Sequence, residues 1–279
     1  MEMVVQWVMR TDGASAEESF TEACGMAFSF CESMIHDYRH HGYVVFRQIL
    51  PDSLLADLRR ATEPTAKLAR AQRGPQAQRL QPISDHDIDL KPFEDYAALP
   101  ALVDAIARIL TPQHQIGRGG WWHTGILLEP DERPCCTAWH RDLRETSKVP
   151  DVEEFRRICC DPLWFNQINC PLYEDTCTWY VPGSHLRTFD LPGETAGADA
   201  AMPNDDADRE TAERGCLRYA QGMPGAVRLR MDAGDLAFYH PNAWHIGVYR
   251  PEAKRRTIHG HAPTDEMLDW YRRWYAMRA

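Results

Sequence analysis

Between residues 120 and 261 the chain is cut into eight short β-rich runs, and no other feature limits its fold as much. They cover residues 121–128, 136–140, 163–169, 177–181, 226–231, 235–239, 243–249 and 257–261. Pro- and Gly-marked breaks separate them, as expected where an extended chain must turn. Many short strands of this kind suggest an antiparallel sheet that is closed on itself or doubled, which leaves few exposed edges. Helical periodicity flanks the β-rich part. Leu54, Leu55 and Leu58 share a face of a helix over 51–61, and Leu99, Leu102, Val103, Ile106 and Leu110 follow a 3.6-residue period. A helix over 30–39 leads into the run Gly42-Tyr43-Val44-Val45-Phe46. Met267, Leu268, Tyr271, Trp274 and Tyr275 form an apolar stripe over 264–278, expected to pack on the exterior of the β structure.

We expect residues 1–28 to be a loosely held arm and 29–279 a single domain, mainly β with flanking helices. Two insertions interrupt it, at about 146–160 and 191–222. The second is rich in Ala, Asp, Glu and Gly and longer than most connections inside a compact domain, as lids or disordered loops are.

Charge narrows the partners. With 31 basic and 41 acidic residues the formal net charge is −10, which argues against phosphate-neutralising nucleic-acid binding and against an anionic membrane surface. No apolar stretch approaches the length of a membrane span, and we expect a cytoplasmic protein acting on a small molecule. Nine cysteines, with two adjacent pairs, match neither a disulfide framework nor zinc spacing, so reduced thiols are expected.

His140 and Asp142 lie two apart, so on a strand both project to one face and can bind one metal ion. Such a pair alone is also what a surface strand end looks like. The context is His245, 103 residues beyond Asp142, on a later β-rich run that could return beside the pair. Two imidazoles and one carboxylate on one face of an octahedral ion leave positions open for a bidentate keto acid and O2. Arg256 lies eleven residues past His245. Its planar fork suits the far carboxylate of a dicarboxylate co-substrate, whereas Arg255 reads as part of a solvated hairpin end.

These features, with the opening Tyr38-Arg39-His40-His41-Gly42-Tyr43-Val44-Val45 and the strand end Trp179-Tyr180-Val181-Pro182-Gly183-Ser184-His185, resemble the phytanoyl-CoA dioxygenase family from about residue 33 to 261. The resemblance implies a double-stranded β-helix, the jelly-roll or cupin-like barrel. It implies Fe(II) held by His140, Asp142 and His245, with 2-oxoglutarate anchored by Arg256 and O2 as the other co-substrate. It also places His123 near the cofactor and Phe165 in the co-substrate pocket, with Gln167 as a polar contact on the same strand. The expected reaction is hydroxylation of an unactivated C–H bond of a small metabolite, releasing succinate and CO2. The rivals are a vestigial jelly-roll ligand-binding protein and a cupin-type metalloenzyme that is not an oxygenase. Two positions depart from the pattern: Arg141, where Gln is frequent, and Gly247, where Ser or Thr often contacts the co-substrate.

Overall fold

A computed structural model describes residues 28–143, 151–203 and 208–278; the arm predicted over 1–28 falls almost wholly outside them, as do parts of both insertions. Helices α1 (Ser33–His41), α2 (Asp52–Thr62), α3 (Thr65–Arg73), α4 (Lys91–Ala97), α5 (Pro100–Ile109), α6 (Val152–Cys160), α7 (Glu194–Ala198), α8 (Arg209–Gln221) and α9 (Asp265–Arg278) surround ten strands. The strands are β1 (Tyr43–Phe46), β2 (Arg79–Leu80), β3 (Gly125–Leu128), β4 (Cys135–Cys136), β5 (Gln167–Pro171), β6 (Thr178–Tyr180), β7 (Val227–Arg228), β8 (Leu236–Tyr239), β9 (His245–Tyr249) and β10 (Arg256–Gly260). Each of the eight β-rich runs overlaps a strand, though the run 136–140 shares only Cys136 with β4. β1 joins them as expected, and the two-residue β2 is an addition.

The strands form two antiparallel sheets, ordered β1-β8-β5-β10-β3-β2 and β4-β9-β6-β7. Together with the flanking helices this is the jelly-roll arrangement. Alternation along the strands sorts the side chains. Ile126, Leu128, Ile168, Cys170, Leu236, Phe238 and Ile258 leave the outer face of the large sheet and join the main core. That core is closed by Leu55 and Leu58 of α2 and by Leu102, Ala105, Ile106 and Ile109 of α5. Val103, placed on the α5 stripe by periodicity, is 45% exposed, because the buried stripe follows positions 102, 105, 106 and 109 instead.

The small sheet is backed differently. Trp139, Trp179, Ile246 and Val248 on its outer face pack against Cys216, Tyr219 and Ala220 of α8. Part of the 191–222 insertion is therefore structural cover behind this sheet. The Asp208 carboxylate accepts from the Thr211 amide at 3.0 Å and starts α8. A third cluster joins Phe155 and Ile158 of α6 to Met267 and Trp274 of α9 through Phe165; Tyr275 lies outside the described side chains.

Gly42 shows why the Gly-Tyr-Val-Val start cannot vary at its first position. Its φ is +81°, and a Cβ there would sit 2.5 Å from both His185 Nδ1 and Tyr180 Oη. The glycine thus lets the strand end at Pro182-Gly183-Ser184-His185 close against β1. No disulfide joins the cysteines of the described residues, and no helix among them is long and apolar enough to cross a membrane.

Candidate metal centre

His140 and His245 form an antiparallel bridge, with mutual backbone hydrogen bonds of 3.2 and 3.0 Å. This pairing brings together two residues more than a hundred positions apart in sequence. Asp142 Oδ1 lies 3.3 Å from His140 Nε2 and 3.7 Å from His245 Nε2. One ligand atom from each of the three lies within 4.8 Å of the others, a spacing that can hold a metal ion. His36, Asp37 and His41 also meet that criterion, but on the surface of α1.

The backbone orients both imidazoles. His140 Nδ1 is 2.8 Å from the Ala138 carbonyl, and His245 Nδ1 is 2.9 Å from the Ala243 carbonyl. A carbonyl only accepts, so each Nδ1 carries the proton and each Nε2 directs its lone pair toward Asp142. Gln167 Nε2 donates to Asp142 Oδ2, which leaves Oδ1 facing the histidines. Burial disfavours charge on both His245 and Asp142, with different outcomes. His245 is pushed down to about 4. For Asp142 the neighbouring His245 and His140 outweigh burial and hold the carboxyl well below the usual range. A carboxylate with neutral imidazoles is the protonation state a divalent metal requires.

Beside this triad lies a cavity of about 150 Å³, lined among others by Asn169, Thr178, Tyr239, Tyr249, Arg255 and His259. Its charged end corrects the arginine assignment. Arg256, expected here, turns to the opposite side of β10, where Nη1 donates to Glu129 Oε2 at 2.6 Å. Arg255 faces the cavity and is 2% exposed. Its Nε donates to Asp175 Oδ2 at 2.8 Å, while its Nη1 is buried without a partner. Thr257 Oγ1 and the Cys177 amide also donate to Asp175, at 2.6 and 2.8 Å. Burial alone would raise that carboxyl, but Arg255 and these hydrogen bonds keep it below the usual range. The cavity wall is further tied by His259 Nδ1 to Asn169 Oδ1 at 2.9 Å and by Asn169 Nδ2 to Thr178 Oγ1 at 3.1 Å.

The Gly247 departure has a steric cause. A Cβ at 247 would lie 2.5 Å from the Tyr249 hydroxyl and ring, since residues 245, 247 and 249 share the inner face of β9. Tyr249 fills the room that a serine or threonine side chain would need, and the Arg255 guanidinium lies 4.9 Å from its ring centroid. Arg141 turns outward. It donates to the carbonyls of Ser184 and Asn242 at 2.6 and 2.5 Å and so ties together the two turns behind the metal site.

Arg79, Asp142, Gln167 and His259 also border a second chamber of about 260 Å³, completed by Gln81, His123, Leu143, Gly260, His261, Tyr271 and Trp274. His123 therefore belongs to the outer chamber, in the turn before β3. Phe165 lines neither chamber. It is fully buried, 5.0 Å from Trp270 and 5.7 Å from Tyr271 between ring centroids, because the strand Gln167–Pro171 starts two residues later and leaves Phe165 in the α6–α9 core.

The phytanoyl-CoA dioxygenase sequence model matches residues 38–248. The chain belongs to that family. No curated protein matches it, but solved structures share the fold at low identity. EctD from S. alaskensis with bound Fe aligns with a TM-score of 0.52 and 16% identity, over 83% of this chain and 75% of that one. HygX from Streptomyces hygroscopicus, with nickel and 2-oxoglutarate bound, gives 0.51 and 16% over 85% and 88%. EvdMO1 gives 0.54 and 16% over 84% of this chain, which spans about half (49%) of that protein. Family membership makes the chain an oxygenase of the Fe(II)/2-oxoglutarate-dependent type.

Asp175, Tyr249, Arg79 and His259 were not singled out by sequence reasoning. The available signal was the alternation 255, 257, 259 against Ile258, whose partner Ile126 lies in the apolar core.

Proposed function

We propose that this chain hydroxylates an unactivated C–H bond of a small metabolite, using Fe(II) held by His140, Asp142 and His245 and 2-oxoglutarate anchored by Arg255. One observation carries the reading: Arg255, whose Nη1 is buried without a partner, and the three triad residues with their converging ligand atoms line the same cavity. A dicarboxylate keto acid matches that polarity, with a chelating end for the triad and a far carboxylate for a guanidinium. When bound, iron and keto acid together activate O2 and supply the oxidising power for C–H cleavage.

The residues of the chain prepare the site. Asp175 holds Arg255 through Nε, which aims the remaining donors into the cavity. Gln167 keeps Oδ2 of Asp142 occupied, so the carboxylate offers one oxygen to the metal. The two carbonyls behind the imidazoles fix their tautomers. Tyr249 brings a hydroxyl to the place where Gly247 has no side chain, as a second contact for the far carboxylate. The buried wall of Tyr239, Asn169, Thr257 and His259 limits water at the inner end, where charged contacts gain most from a low dielectric.

The test is succinate formation from 2-oxoglutarate by the purified protein supplied with Fe(II). Formation that requires iron and is lost on substituting His140 or His245 supports the reading. Absence of iron-dependent succinate, with the metal bound, would favour the cupin-type or vestigial alternatives.

A further inference from the structure

The outer chamber carries information about the substrate that the metal site does not. It shares Arg79, Asp142, Gln167 and His259 with the inner cavity, so a molecule in it rests against the carboxylate that would hold the metal. Among the described residues its one lining acid is Asp142, which is already engaged by Gln167 and both histidines. Among the described residues its one lining arginine or lysine is Arg79. The Arg79 Nη1 donates to Gln81 Oε1 at 3.2 Å, and Gln81 Nε2 donates to the His123 carbonyl at 2.7 Å.

Arg79 differs from four arginines around the barrel that pair with carboxylates. Arg255 faces Asp175, Arg256 faces Glu129, Arg141 faces Asp190, and Arg187 faces Glu194. Among the described residues Arg79 has a neutral amide and no carboxylate partner. The imidazoles beside it add no competing charge: burial holds His123 at about 3 and His261 at about 4. They offer hydrogen-bonding edges instead. Tyr271, Trp274 and Leu143 supply the apolar part of the wall. A dry cavity of about 150 Å³ holds a benzene ring, so about 260 Å³ has room for a ring with a polar substituent. Among the described residues Leu143 is the one aliphatic side chain on its wall, so these residues form no track for a long acyl chain.

We infer that the substrate is a small, compact anion, seated in the outer chamber with a carboxylate or phosphate on Arg79 and a ring or short carbon frame against Tyr271 and Trp274. This deepens the oxygenase reading and rests on it, since only that reading makes the chamber beside Asp142 the substrate's place.

Three probes of one shape decide it: benzoate, phenyl phosphate and benzamide. Each is titrated by ligand-observed NMR into wild type and Arg79→Gln, both metal-free and loaded with Ni(II) and 2-oxoglutarate. We expect benzoate or phenyl phosphate to bind at least tenfold more tightly than benzamide. The tighter of the two anions identifies the carboxylate or the phosphate source. Arg79→Gln should bring all three within about twofold, and Arg79→Lys should restore much of the preference. Equal binding of benzamide by wild type overturns the inference, as does a preference that survives Arg79→Gln. A loss in Arg79→Gln that falls on 2-oxoglutarate rather than on the probes also overturns it, because Arg79 would then serve the co-substrate. Failure of the oxygenase reading is separately visible as wild type that takes up no 2-oxoglutarate with Ni(II); the probe preference of the metal-free protein then still decides the chemistry of the chamber.

Discussion

The two faces of β10 carry adjacent arginines with opposite fates. On the outer face, Arg256 pairs with Glu129, which also accepts from the Arg255 amide at 2.7 Å and from Arg70 at 3.2 Å. On the inner face, Arg255 has a buried carboxylate partner too; each arginine keeps one buried N–H without a partner, Nε of Arg256 and Nη1 of Arg255, but Arg255 is the one that lines the cavity of the triad. Both pairs are buried. The difference lies in placement: of the two arginines, Arg255 lines the cavity beside the triad and Arg256 does not.

The largest effect expected from breaking the inner face is at the metal. His140→Ala and His245→Ala should each lower iron-dependent succinate formation by more than about a hundredfold, since losing even an outer-shell partner of a ligand costs ten- to a hundredfold. Their circular dichroism and melting should remain close to wild type, because neither ring belongs to the apolar clusters. Near-normal turnover by either variant would move the metal elsewhere.

Arg256→Ala should act on stability. Removing one partner of a buried pair leaves Glu129 less compensated, at about 3 kcal/mol, the low end for such pairs because Arg70 and the Arg255 amide still reach that carboxylate. Chemical denaturation should record this loss, while the KM for 2-oxoglutarate stays within about twofold. A KM effect larger than the stability effect would return Arg256 to the site.

Asp175 sharpens the contrast through pH. Its folded pKa is depressed, so its ion pair stabilises the fold above the unfolded carboxylate value near 4 and loses that contribution as pH falls through the lower folded value. The stability gap between wild type and Asp175→Asn should therefore be widest at neutral pH and narrow as the pH drops below about 4. A gap independent of pH would show that Asp175 acts by packing alone. The smallest effect is expected for Tyr249→Phe, a three- to tenfold rise in the KM for 2-oxoglutarate, the size of one hydrogen bond at about 1 kcal/mol. An unchanged KM would leave Tyr249 as a space-filler over Gly247.

The β framework could be read from the chain because each strand is short, apolar and punctuated by Pro or Gly. The grouping of His140 with Asp142 could be read because residues two apart share a face of an extended chain. The arginine could not: with a side-chain period of two, a shift of one residue exchanges the two faces, and family spacing pointed to Arg256. Only the pairing of β10 with β3, which sets Ile258 opposite Ile126 in the apolar core, turns Arg255, Thr257 and His259 inward. Phe165 shows the same limit, since it precedes β5 by two residues and follows the helical packing instead. The helix α8 gave little hydrophobic signal, as its buried positions include Ala212, Cys216 and Ala220. Arg79 sits on a strand of two residues, too short for any periodicity to register.

Which face of β10 receives the co-substrate is tested by lysine substitutions, with charge retained. In anaerobic protein loaded with Fe(II), 2-oxoglutarate is titrated and followed by the absorption of the iron–keto acid chelate in wild type, Arg255→Lys and Arg256→Lys. Lysine keeps the ion pair but loses the planar fork. The account predicts a dissociation constant raised at least tenfold in Arg255→Lys and within about twofold of wild type in Arg256→Lys. Equal shifts, or a larger shift at Arg256, would contradict it.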